Sequence, residues 1–157
     1  MTEIIPPEVT DRDVYITRSF DAPRELVWKF WTDPERLAEW FGPNGISTPT
    51  ARMEMDVRDG GTWNLAMVSD ETGDVFPMSA TIVTAREPEY LEMVASAQTG
   101  AGDIEGVFLR VTFHDHGDKT RMTLHQGPFS DEQRDMTSSG WNESFVKLDG
   151  IFAEAHS

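Results

Sequence analysis

The stretch that decides the fold is residues 130–155, which read SDEQRDMTSSGWNESFVKLDGIFAEA. Its large apolar residues recur at intervals of three and four: Trp141, Phe145, Leu148 and Phe152. That spacing places them on one face of an α-helix. Ser130 and Gln133 have the spacing of a capping box, so we expect the helix to begin there. A helix of this length with one apolar face needs a large apolar partner elsewhere in the chain.

The partner is a β-sheet, because apolar and polar residues alternate between residues 50 and 126. The alternation predicts strands over residues 51–57, 62–68, 75–84, 90–97, 105–114 and 119–126. Short turns join these segments, which is typical of an antiparallel meander. A further strand over residues 13–20 precedes two short helices that begin near Pro23 and Pro34. The sequence therefore predicts an α+β fold in which a curved antiparallel sheet wraps around the long C-terminal helix.

Length and composition indicate one domain of ordinary size. The chain has 157 residues, and we expect a loose N-terminal lead-in over residues 1–12 and a single domain over residues 13–157. The absence of cysteine excludes disulfides, thiolate nucleophiles and cysteine-based metal sites. We expect a monomer or a homodimer.

The charge of the chain excludes two classes of partner. The formal net charge is -15, from 28 acidic and 13 basic residues. Such a surface repels nucleic acid and anionic membranes, because phosphate binding needs clustered Lys and Arg. No apolar run reaches the length of a membrane span, and the N-terminus lacks the pattern of a signal peptide. We therefore expect no membrane insertion and a cytoplasmic location.

Several motifs occur in an order that resembles one known family. They are FDAP at 20–23 with VW at 27–28, TDP at 32–34 with WFGP at 40–43, DVRDGGTW at 56–63, TRMTL at 120–124, and GW at 140–141 in the last helix. Together they resemble the activator of heat-shock-protein-90 ATPase homologue family of the START-like, or SRPBCC, superfamily. The resemblance covers about residues 14–152, which is most of the chain.

The resemblance implies a helix-grip fold with a deep apolar cavity between the curved sheet and the last helix. Members of the superfamily bind lipids, sterols, polyketides or plant hormones there, and some catalyse cyclisation or dehydration. The eukaryotic co-chaperones that give the family its name carry this domain as one of two, whereas this chain has room for one. The resemblance implies no general set of catalytic residues, because the motif residues are mostly structural.

Large apolar side chains on the predicted inner surfaces are the candidates for ligand binding. Aromatic rings and methionines suit a flat or irregular apolar ligand. The candidates are Trp40, Phe41, Trp63, Met67, Phe76, Met78, Met93, Leu109, Phe113, Trp141 and Phe145. The same residues could equally fill a solid core, and the pattern does not separate the two interpretations.

Ionisable residues are poor candidates for chemistry in the cavity. His114, His116 and His125 lie near one hairpin, but the alternation points His114 and His125 outward, so we expect solvated surface histidines and no metal site. The polar residues closest to the inner face are Gln126, which continues the inward register of its strand, and Ser144, which flanks the apolar stripe of the helix. Neither is an ionisable acid or base. We therefore predict no catalytic residue, no metal and no cofactor.

Two glycine-rich segments are better explained as turns than as phosphate loops. They are residues 60–61 and the predicted loop over residues 98–103. Neither precedes a helix whose N-terminus could receive an anion.

Three functions remain open at this point. The first is binding of a hydrophobic small molecule, lipid-, polyketide- or aromatic-like, between the sheet and the C-terminal helix. The second is an enzyme of the cyclase or dehydratase kind that uses the same cavity. The third is a chaperone-associated interaction protein that uses its acidic surface. We rank binding first, because an apolar pocket with few polar groups is the usual form of a small-molecule site.

Overall fold

The computed structural model describes residues 10–99 and 102–155. Residues 1–9 of the predicted lead-in, and residues 100–101 of the predicted 98–103 loop, lie outside the described residues. In chain order the elements are β1 (Val14–Phe20), α1 (Arg24–Thr32), α2 (Pro34–Leu37), β2 (Ile46–Ser47), a 3-10 helix (Thr50–Arg52), β3 (Glu54–Asp56), β4 (Thr62–Ser69), β5 (Val75–Arg86), β6 (Tyr90–Thr99), β7 (Gly102–His116), β8 (Lys119–Gly127) and α3 (Asp131–Ala155).

The strands form one eight-stranded sheet in the order β1-β8-β7-β6-β5-β4-β2, and β3 also pairs with β4. Each pairing is antiparallel, and β1 lies beside β8 because the chain returns to its first strand at the end of the meander. The long helix α3 follows β8 and covers the inner face of the curled sheet, while α1 and α2 come directly after β1. The predicted α+β helix-grip fold is confirmed.

Local signals place the starts of α3 and α2 where the sequence predicts them. Ser130 Oγ accepts a hydrogen bond from Gln133 N at 3.2 Å, and Gln133 Oε1 accepts one from Ser130 N at 3.4 Å. The capping box is therefore confirmed, and it satisfies amide groups that the first turn of α3 leaves free. The side chain of Asp33 caps α2 by accepting from Glu35 N.

Three segments depart most clearly from the prediction. The strand predicted over residues 51–57 is shorter, because Pro49 precedes a 3-10 turn that Met53 N closes by donating to Thr50 O. The loop predicted over residues 98–103 is a hairpin, since β6 continues to Thr99 and β7 begins at Gly102. The two-residue strand β2 was not predicted, because two residues are too few to show a period.

The core lies between the sheet and the three helices. The apolar stripe of α3 is buried, with Phe145 and Leu148 at 0% exposure. The chain's tryptophans are also buried, and Trp31 contacts the rings of Trp40, Trp63 and Trp141 at centroid distances of 5.1, 6.2 and 5.5 Å. Among the helices that the structure describes, none combines the length and the hydropathy needed to cross a lipid bilayer.

Candidate ligand cavity

A cavity of about 320 Å³ separates the inner face of the sheet from the N-terminal half of α3. It is about twice the size of the ~150 Å³ apolar cavity that holds one benzene molecule, and it falls within the usual range for small-molecule sites. The helix contributes wall residues from Met136 to Ser144, which corresponds to a length of about 12 Å. The lining residues are Phe41, Gly42, Pro43, Ile46, Met67, Phe76, Met78, Ala95, Val107, Gln126, Phe129, Met136, Thr137, Gly140, Trp141 and Ser144.

One wall of the cavity is the loop over residues 42–46, and three side chains of α3 hold it in place. Gly42 N donates to Ser144 Oγ at 3.1 Å, and Lys147 Nζ donates to Gly42 O at 2.8 Å. Asn44 N donates to Glu143 Oε1 at 3.0 Å. We call these three side chains, Glu143, Ser144 and Lys147, the loop clamp. They satisfy backbone groups of the loop, which would otherwise need water to do so.

Gly42 suits this loop for a steric reason. Its φ is +116°, a region that residues with a side chain rarely adopt. A Cβ there would also lie 3.1 Å from Ile46 O. The glycine therefore lets the chain turn sharply after α2 and reach α3.

The polar side chain that β8 contributes to the wall is Gln126. Its side chain is buried, as the inward register predicted, and its Oε1 accepts a hydrogen bond from Trp141 Nε1 at 2.7 Å. Since an indole N–H can only donate, this bond orients the amide so that its oxygen faces Trp141. The contact links the sheet to α3 at the cavity wall.

Five of the predicted ligand-binding residues line this cavity: Phe41, Met67, Phe76, Met78 and Trp141. The other six lie in the packed core, none more than 1% exposed: Trp40, Trp63, Met93, Leu109, Phe113 and Phe145. Hydrogen bonds fix two of these tryptophans in the core: Trp40 Nε1 donates to Phe30 O, and Trp63 Nε1 donates to Trp31 O, each at 2.8 Å. The alternation identifies the inward face but does not show where along a strand the core ends and the cavity begins.

Several wall residues were not among the predicted candidates. Ala95 and Val107 lie on strand faces that the alternation points inward, so that pattern could have identified them. Phe129 and Met136 lie outside the alternating region, in the connection to α3 and in its first turns. No periodic signal marks these two positions.

The opposite face of the sheet carries a larger and more polar cleft, of about 760 Å³. Its wall includes Arg24, Arg110 and Arg121 and the histidines His114, His116 and His125. Several of these cations are paired, because Arg110 contacts Glu92 at 3.3 Å and Arg24 contacts Glu89 at 3.8 Å. We define this surface as the outer cleft. Its open, charged wall suits water and ions. The apolar cavity is therefore the better candidate for a small-molecule site.

His125 in the outer cleft corrects one expectation. It points away from the inner face as predicted, but it is 4% exposed, so the prediction of a solvated histidine was wrong. Its Nε2 lies 2.9 Å from Asp13 Oδ2, and the rings of Tyr15 and Phe108 cover it at centroid distances of 5.8 and 4.8 Å. Alternation tells which face a residue occupies, and cross-strand neighbours then decide whether water reaches it.

Burial and hydrogen bonds shift the pKa of three groups around the outer cleft. For Asp13, burial acts to raise the pKa, but the hydrogen bonds from His125 and from Thr10 N outweigh it and hold the pKa below its usual value. Burial, together with the charge of Arg121 and with His116, lowers the pKa of His114. Burial and the carboxylate of Glu92 raise the pKa of Tyr90. Within residues 10–99 and 102–155, no group of three or more His, Asp or Glu side chains has the arrangement of a metal site.

Comparisons with known proteins agree with this architecture. Residues 21–153 match the family described as “Activator of Hsp90 ATPase homolog 1-like protein”. No curated protein matches the sequence.

Solved structures of bacterial proteins superpose over nearly their whole length. The AHSA1 protein from Silicibacter pomeroyi is 22% identical with a TM-score of 0.79, over 92% of this chain and 99% of that one. A protein from Chromobacterium violaceum is 19% identical with a TM-score of 0.79, over 91% and 98%. A protein from Nitrosomonas europaea is 22% identical with a TM-score of 0.74, over 92% and 96%. At these identities the likeness shows the fold.

Proposed function

Since the chain belongs to the Activator of Hsp90 ATPase homolog 1-like protein family, we propose that it binds a hydrophobic small molecule between the sheet and α3. The observation that carries the proposal is the cavity of about 320 Å³, whose described wall is almost entirely apolar. An empty apolar space forfeits the dispersion contacts that its lining would otherwise make, so an apolar occupant stabilises the protein. A lipid-, polyketide- or aromatic-like ligand suits this chemistry.

Binding is favoured over catalysis by the composition of the wall. The described lining residues include no Asp, Glu, His, Lys or Arg. A general acid or base must come within hydrogen-bond reach of its substrate, and the described wall offers no side chain with a suitable pKa. The alternative of a cyclase- or dehydratase-type enzyme therefore ranks second.

The chaperone-associated alternative draws on the family name and on the net charge of -15. It predicts a partner that recognises the acidic surface and is released by salt. The small-molecule proposal predicts a ligand that is insensitive to salt, because apolar burial is not screened. Binding measured at low and high salt therefore separates the two.

Two neighbouring residues on β6 allow a matched test of the cavity. Ala95 is buried in the cavity wall, whereas Val94 is 42% exposed on the other face. We expect Ala95→Phe to fill the space and to lower the affinity for 2-ethylnaphthalene at least tenfold, measured by isothermal titration calorimetry. Val94→Phe adds the same ring outside the cavity and should change the affinity less than twofold. Equal effects of the two substitutions, with both variants folded by circular dichroism, would rule out this site.

The natural ligand can be sought directly. Native mass spectrometry of the chain purified from its own host should show an additional mass that Ala95→Phe removes. An additional mass that persists in Ala95→Phe would point to binding elsewhere on the molecule.

A further inference from the structure

The side-chain amide of Gln126 brings both a donor and an acceptor group to the cavity wall. Its single hydrogen bond within the described residues is the one that Oε1 accepts from Trp141 Nε1 at 2.7 Å. Because that bond directs the oxygen to the indole, Nε2 and its two N–H groups are left without a protein acceptor. Gln126 lines the cavity, so these donors belong to its wall.

The other polar side chains of the described wall do not offer a comparable donor. Ser144 Oγ donates to Gly140 O at 3.0 Å and accepts from Gly42 N at 3.1 Å, so its hydroxyl hydrogen is used. Thr137 lies on α3 and is only partly buried, where water can reach it. Gln126, in contrast, is 7% exposed. Its Nε2 keeps surface that a ligand can reach, so a ligand oxygen in the cavity can accept a hydrogen bond there.

We propose that Gln126 Nε2 donates a hydrogen bond to a neutral acceptor oxygen of the ligand, so that the cavity selects apolar molecules with a carbonyl over pure hydrocarbons. This inference rests on the proposed function of the cavity. The acceptor must be neutral, because the described wall holds no Lys, Arg or His to pair with a carboxylate. The net charge of -15 also opposes the approach of an anion.

Three probes with the same two-ring body test the selection: 2-ethylnaphthalene, 2-acetonaphthone and 2-naphthoate. Isothermal titration calorimetry gives their affinities for the wild-type chain and for Gln126→Met, which keeps the length of the side chain but loses the amide. We expect Gln126→Met to weaken 2-acetonaphthone about five- to tenfold, the usual worth of one hydrogen bond, and 2-ethylnaphthalene less than twofold. We expect 2-naphthoate to bind weakest to the wild-type chain.

Matched variants separate a hydrogen-bond donor from a merely structural side chain. Thr137→Val removes the wall hydroxyl that is not already used within the protein, and it should leave the preference for the ketone intact. In a ¹H–¹⁵N spectrum, the side-chain NH₂ signals of Gln126 should move downfield with 2-acetonaphthone and much less with 2-ethylnaphthalene. A structural role alone would not produce that difference.

The outcomes distinguish this inference from the function on which it rests. If none of the probes binds the wild-type chain, the proposed function itself fails. If both neutral probes bind and Gln126→Met weakens them equally, only the role of Gln126 is overturned. Loss of the ketone preference in Thr137→Val would assign the donor to Thr137 instead. Tightest binding of 2-naphthoate would overturn the requirement for a neutral oxygen.

Discussion

The two faces of β7 show how one alternating pattern produces two different surfaces. The inner residues are Val107, Leu109, Val111 and Phe113, each at most 3% exposed, and the outer residues are Phe108, Arg110, Thr112 and His114. Both faces carry a phenylalanine. Phe113 contacts the rings of Trp28 and Trp31 at centroid distances of 5.7 and 6.4 Å. Phe108 is instead covered by Arg110, whose Cζ lies 4.2 Å from the ring centroid, and by His125.

The difference lies in what covers each ring. Inside, aromatic and aliphatic groups exclude water, so shape and volume decide the energy. Outside, charged side chains lie over the ring, so part of the stabilisation is electrostatic and water remains close. A ligand cavity requires the first kind of surface.

Removing one ring from each face should give the largest contrast. We expect Phe113→Ala to lower the free energy of unfolding by about 3–5 kcal/mol, because a buried ring is lost and a void remains. Phe108→Ala should cost about 1–2 kcal/mol, since its cover of charged groups can relax into water. Urea denaturation measures both. Equal costs would mean that the outer face is packed as tightly as the inner one.

The buried pair of Asp13 and His125 should give the next largest effect. We expect Asp13→Asn to lower the free energy of unfolding by about 1.5–3 kcal/mol at neutral pH, because a charge-assisted hydrogen bond is lost. The folded pKa of Asp13 lies below its usual value of 3.8, so ionised Asp13 stabilises the folded state. That contribution is complete above the unfolded pKa and is lost as the pH falls through the folded pKa.

The gap in stability between wild type and Asp13→Asn should therefore be constant from neutral pH down to about pH 5 and shrink below about pH 4. Urea denaturation at several pH values measures it. A gap that widens in acid would reverse the assigned sign of the pKa shift.

Substituting one lysine of the loop clamp and one exposed lysine should show whether the clamp supports the cavity wall. Lys147 Nζ donates to Gly42 O beside the cavity, whereas Lys119 is exposed at the start of β8. We expect Lys147→Met to destabilise the fold by about 1 kcal/mol, the typical worth of a partly exposed hydrogen bond, and to weaken 2-ethylnaphthalene by loosening the wall. Lys119→Met should stay within about 0.5 kcal/mol and leave binding unchanged. If the two substitutions changed stability and affinity equally, Lys147 would have no role in supporting the cavity wall.

Two glycines of α3 provide the smallest expected effect. A Cβ at Gly140 would lie 3.8 Å from the ring of Pro43, which is an ordinary contact, and a Cβ at Gly150 would meet nothing within 4 Å. We expect each Gly→Ala substitution to stabilise the fold by about 0.5–1 kcal/mol, because alanine favours the helix. Only Gly140→Ala should alter ligand affinity, since Gly140 lines the cavity. Destabilisation by Gly140→Ala would show that the helix needs a closer approach there.

Much of the fold could be predicted from local pattern, because period and capping are properties of neighbouring residues. The alternation on β7 and the stripe of α3 identified the inner faces, and Ser130 with Gln133 identified the start of the helix. These signals need no knowledge of distant contacts.

The candidate site was less predictable, because its details depend on contacts between distant residues. Ser144 and Gly42 are 102 positions apart, and no local sequence pattern predicts their hydrogen bond. Phe129 lines the cavity because the segment between β8 and α3 passes beside it, and that segment has no periodic pattern. The burial of His125 likewise depends on Asp13, 112 positions away. Alternation predicted that Gln126 faces inward, but its orientation follows from Trp141.

The loop clamp also has a consequence for hydrogen exchange. The amides of Gly42 and Asn44 lie in a loop, yet they donate to side chains of α3 rather than to water. Their protection should therefore last only as long as α3 stays docked on the sheet, and their exchange rates should follow those of the helix amides around Ser144. Ligand binding should slow both sets together. The loop and the helix would then open as one cooperative unit, although most of the chain separates them in sequence.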